Sequence, residues 1–105
     1  MGFNFNAFVN LTYPVTLNLT EDGDVREREI HVRAPSVARY KEYVARASGP
    51  KDTDMLLALC AEILSNNREG CKVAPEDLSD MPLDAVVAFI SEFFTWISKT
   101  RAEKN

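Results

Sequence analysis

A chain of 105 residues with 46% hydrophobic and 27% charged residues has the size and balance of one domain around a modest core, without a low-complexity tract. Its net charge of -4 disfavours phosphate backbones and anionic headgroups, so neither nucleic acid nor membrane is expected as a partner. The start lacks the basic-then-apolar pattern of a secretion signal, and no apolar run is long enough for a bilayer, so a cytoplasmic location is expected.

Residues 1–12 carry Phe3, Phe5 and Phe8 and read as an N-terminal arm or an added strand. The first regular element follows, with Val15, Leu17 and Leu19 alternating with Thr16, Asn18 and Thr20 in the period-two pattern of a strand with one apolar face. Glu21-Asp22-Gly23-Asp24 breaks the alternation with turn-forming residues, and a return strand over about Val25 to Arg33 completes an antiparallel hairpin. Closing the loop at Thr20 and Val25 sets Val15 against Ile30 and Tyr13 against Val32, but Leu17 and Leu19 against Arg28 and Arg26. Either the arginine stems cover the leucines or the tip projects to meet something else.

Ala34-Pro35 stops the strand, and Ser36 caps a helix whose predicted inner face is Val37, Tyr40, Val44 and Ala47. Ser48-Gly49-Pro50 ends it, with Gly49 expected as a left-handed stop. Asp52 or Thr53 caps a second helix with a buried stripe of Met55, Leu56, Leu59, Cys60, Ile63 and Leu64. Asn66 to Lys72 is polar and contains Gly70, hence a loop, and Pro75-Glu76-Asp77-Leu78 forms one helical turn. Asp80 is placed to cap the last helix, whose core stripe reads Leu83, Val86, Val87, Ile90, Phe94 and Ile97, with fraying from Lys99 to residue 105. The whole is an α+β fold, a hairpin packed with three main helices.

At roughly 100° per residue, Phe89, Phe93 and Trp96 fall beside that stripe and widen the apolar arc to about 180°, more than a small core needs. Either the N-terminal phenylalanines fold over these rings, or the rings form a partner-binding or self-association face.

Catalysis finds no support. The single histidine, His31, lies in a strand with no nucleophile tied to it, and no phosphate loop, dinucleotide fingerprint, nucleophile elbow or zinc-protease motif occurs. Cys60 and Cys71 form no C-x-x-C pair and read as a core residue and a loop thiol, so no metal or cofactor is expected. Asp77, Asp80 and Asp84 lack the spacing of a calcium loop and are explained by helix starts.

The order of elements carries a resemblance. A strand ending Ile30-His31-Val32-Arg33-Ala34-Pro35-Ser36, two short helices, and Pro75-Glu76-Asp77-Leu78-Ser79-Asp80-Met81-Pro82-Leu83 entering an aromatic helix resemble the tail assembly chaperones of contractile-tailed phages and prophages, over about Tyr13 to Ile97. The Phe-rich start lies outside that pattern. The resemblance implies a non-enzymatic protein without cofactors that coats the helical tape measure protein in the host cytoplasm until tube subunits replace it. Such a coat needs an apolar strip of modest affinity on a protein present in many copies, with possible homo-oligomer formation. On that reading Phe89, Phe93 and Trp96, joined by Leu17 and Leu19, contact the client. The alternatives are an adaptor or oligomeric subunit of an unrelated bacterial complex that uses the same aromatic face, and a nucleic-acid regulator that uses Arg33, Arg39 and Arg46.

Overall fold

The structure, a computed structural model, describes residues 2–3, 11–49 and 52–104. Among these residues two strands, β1 (Thr12–Glu21) and β2 (Asp24–Arg33), precede four helices: α1 (Val37–Ser48), α2 (Thr53–Ser65), α3 (Pro75–Leu78) and α4 (Leu83–Lys104). The fold is therefore α+β, with an antiparallel hairpin followed by helices. An N-terminal strand, Phe5 and Phe8 fall outside the described residues, while Phe3 is 67% exposed.

The hairpin register pairs Thr20 with Val25, Val15 with Ile30 and Tyr13 with Val32, as the alternation predicts, and both strands run one residue further to close on Glu21 and Asp24. The loop is thereby only Asp22-Gly23. Their φ values of 52° and 84° are those of a type I′ turn, whose twist matches the flanking strands; Gly supplies the positive φ freely and Asp is one of the few other residues that tolerates it. Leu17 and Leu19 are 7% and 3% exposed, so the tip leucines join the core instead of projecting from it. Arg26 and Arg28 opposite them stay exposed, and Arg28 pairs with Glu21 at 2.7 Å.

Helix α2 is the hub: it packs against β2, α1, α3 and α4. Leu59, Cys60, Ala61, Ile63 and Leu64 are all buried, whereas Met55, in its first turn, is 41% exposed. The Asp52 carboxylate caps it by accepting the Asp54 N–H at 2.9 Å. Ser36 caps α1 in the same way, accepting from Arg39 N–H at 3.2 Å.

Two predicted faces are rotated. In α1 the buried residue is Tyr43, 1% exposed, while Val37 and Val44 are 74% and 38% exposed. A tyrosine ring removes more apolar area from water than either valine, and Tyr40 and Ala47 at its flanks are partly buried with it. The Tyr43 hydroxyl is enclosed, and burial raises its pKa, partly offset by the nearby Arg39 guanidinium. In α4 the inner line is Val86, Ile90, Phe93 and Ile97, with Leu83 and Val87 about half exposed. Gly49 is likewise not left-handed: its φ of -79° and ψ of -170° are extended, the conformation that a following proline imposes. The last helix begins from the Pro82 carbonyl, which accepts the Ala85 and Val86 N–H groups at 3.0 and 3.4 Å, so Asp80 lies ahead of the helix start. The helix spans Leu83–Lys104.

The polar 66–71 loop docks on the outer edge of β2. Arg33 N–H donates to the Asn66 carbonyl at 2.8 Å and Arg68 N–H to the His31 carbonyl at 2.9 Å. The His31 N–H and Nδ1–H both donate to the Glu69 carboxylate, at 2.8 and 2.6 Å. Inside the loop, buried Asn67 donates to the Leu64 and Cys71 carbonyls and accepts from Cys71 N–H, so its amide is satisfied on both sides.

Candidate partner-binding surface

Tyr13 starts the apolar phase of β1 and reaches α4, where its ring lies 6.4 Å from Phe89, 6.2 Å from Phe93 and 5.4 Å from Trp96 between centroids. Phe93 in turn meets Phe89 at 5.9 Å and Trp96 at 5.7 Å. These separations are those of attractive offset and edge-to-face aromatic pairs. The Tyr13 hydroxyl donates to Glu92 at 3.4 Å, and burial together with that carboxylate raises its pKa.

The five residues expected to meet a partner therefore separate. Phe93 is 0% exposed and is the centre of the β1–α4 contact, because its ring lies between those of Phe89 and Trp96 on the side facing Tyr13. It is a core residue, and Leu17 and Leu19 are buried beside it in the same cluster. Phe89 and Trp96, on the shoulder of the helix, are partly buried and keep part of each ring in solvent. Tyr13 is the residue that sequence reasoning missed as their cover, although its phase with Val15, Leu17 and Leu19 was visible.

Next to Phe89 the surface is concave. Val15, Leu17, Leu78, Met81, Val86 and Phe89 line an apolar groove of about 160 Å³ between β1 and the start of α4. Three elements create its walls: β1 forms one, α3 packs against β1 beside it with Leu78, and after the bend at Met81-Pro82 the first turns of α4, packed on α2, close the other side with Val86 and Phe89. Cys60 of α2 contributes to the floor, its thiol pushed up to about 12 by burial and so inert as a nucleophile at neutral pH. The volume suits one large apolar side chain, and the walls offer almost no polar group to orient a small polar ligand.

Other apolar residues face water on the opposite shoulder. Leu83 and Val87 of α4 are 49% and 46% exposed, and Tyr40 of α1 meets Phe94 of α4 at 6.2 Å nearby. Single exposed aliphatic residues on convex helices are ordinary, whereas an open apolar groove with a partly buried aromatic wall is a concave feature that a partner side chain could fill. Among the described residues no group of three or more His, Cys, Asp or Glu is gathered where it could hold a metal ion, and no helix is long and apolar enough to cross a membrane.

Comparison with known proteins gives no relative: no family model, no curated protein and no solved structure matches the chain.

Proposed function

We propose that this chain is a non-enzymatic assembly chaperone of the host cytoplasm, one that shields the helical tape measure protein of a contractile phage tail while the tail tube grows. The observation that supports the reading is the apolar groove between β1 and α4, open to solvent and lined by Phe89, which with Trp96 further along the helix is only partly buried. An amphipathic helix seats one anchor side chain in a groove of this size and lays its next apolar turn along the adjoining rings. A single anchor gives modest affinity, which is what a coat displaced by tube subunits needs; many copies along one client restore occupancy through their number.

The chemistry of the site is confined to burial. Client residues leave water on binding, and no bond is made or broken. Two substitutions at the groove rim test this: Met81→Asp puts a charge at its mouth, and Phe89→Gln removes an aromatic wall while keeping a helix-forming residue. Both variants are expected to keep the wild-type circular dichroism spectrum and to lose at least about tenfold in their capacity to hold tape measure fragments in solution. Undiminished solubilisation by both variants, folded and at wild-type concentrations, would overturn the proposal.

A further inference from the structure

We propose that the outer edge of β1 pairs antiparallel with β1 of a second copy of this chain, joining two hairpins into one continuous sheet. The inference is independent of the client and rests on the hydrogen-bonding phase of the hairpin. His31 and Arg33 direct their N–H groups away from β1, into the 66–69 segment. Residues opposite one another in an antiparallel pair share that outward phase, so Thr12 and Pro14, their partners, also face outward, and so do Thr16, Asn18 and Thr20 at every second position. Pro14 fits this phase, since its missing N–H is not required by the hairpin. Among the described residues, the backbone groups of Thr16, Asn18 and Thr20 make no bond to another element. Such a row of unpaired donors and acceptors is a template for another strand.

The two edges of the hairpin differ in chemistry. Along β2, the 66–69 segment already covers His31 to Arg33, and the remaining stretch reads Arg26-Glu27-Arg28-Glu29. Residues opposite one another in an antiparallel pair share a face, so a two-fold axis must pass through a residue. Centred on Glu27 it sets Glu27 against Glu27 and Arg26 against Arg28, and centred on Arg28 it sets Arg28 against Arg28 and Glu27 against Glu29, both repulsive. Along β1, the stretch Thr16-Leu17-Asn18-Leu19-Thr20 carries no charge and is symmetric about Asn18. Pairing two copies about Asn18 sets Thr16 opposite Thr20, Leu17 opposite Leu19 and Asn18 opposite itself. That register also leaves Pro14 beyond the end of the new ladder, where its absent donor costs nothing. Self-complementarity of this kind is the requirement of a two-fold interface.

The test is sedimentation equilibrium of the full chain over a wide concentration range. The wild type is expected to form a reversible dimer, and Asn18→Pro to raise the dissociation constant at least about tenfold, because proline removes the central donor without touching a bond inside the hairpin. Asn18→Lys, which keeps the donor and places two like charges opposite each other, is expected to weaken the dimer as well while retaining the wild-type fold. In a Cys71→Ser background, Asn18→Cys is expected to cross-link copy to copy under mild oxidation, since the central pair brings Cα atoms to about 5.5 Å, within disulfide reach. A wild type that stays monomeric throughout, or dimers that tolerate both Asn18→Pro and Asn18→Lys, would overturn the proposal. So would a monomeric wild type whose Asn18→Pro variant loses client solubilisation, because the edge would then be taken by the client.

Discussion

Glu69 shows how one side chain fixes a segment that the sequence presents as a featureless polar loop. Its carboxylate accepts two hydrogen bonds from His31, backbone first and ring second, and these hold its pKa down at about 2 from an ordinary 4.5. A carboxyl group depressed in the folded state stabilises the fold above its unfolded pKa, and that stabilisation disappears as pH falls towards the folded value. Stability of the wild type is therefore expected to drop between about pH 4.5 and pH 2, as the clasp on the β2 edge is protonated. Glu69→Gln is expected to show a smaller drop over the same window, measured by urea denaturation at each pH. Equal pH profiles for the two proteins would remove Glu69 from that role. His31, which reads from sequence as a surface strand residue, is the other half of the clasp, and nothing in its local pattern announced a partner 38 residues away.

Elements were legible to the degree that their own periodicity decides them. The hairpin register followed from the alternation of Val15, Leu17 and Leu19 with threonine and asparagine, because a one-residue slip would turn every leucine outward. The helix start at Ser36 followed from capping chemistry, which also narrowed the next one to Asp52 or Thr53; the cap is Asp52. Inner faces were less legible, since α1 and α4 each offer an apolar arc wider than the strip that is buried, and the choice among Tyr43, Val44 and Val37, or among Phe93, Phe94 and Val87, is made by the element packed opposite. For α4 that element is α2, with the Tyr13 ring of β1 covering Phe93 from the side. A matched pair of truncations expresses the difference: Phe93→Ala is expected to cost about 3–5 kcal/mol and Val87→Ala less than about 1 kcal/mol, read from urea denaturation midpoints. Similar costs for the two would mean that the rotated face is wrong.

At the scale of the whole molecule, the groove was not legible at all. It depends on where α3 and the Met81-Pro82 bend set the start of α4 relative to β1, a matter of tertiary geometry that no single motif encodes. What the sequence did expose was the excess of apolar surface on the last helix. The monomer hides part of that excess, Phe93 most completely, and leaves the remainder as a groove with rings at its border. The most direct test is an amide NMR titration of the isotope-labelled full chain with a helical tape measure peptide. Perturbations are expected to concentrate at Val15, Leu17, Met81, Ala85, Val86 and Phe89, extending to Trp96. Perturbations confined to Val37, Val44, Leu83 and Val87 on the other shoulder, or none at saturating peptide, would contradict a groove-bound client.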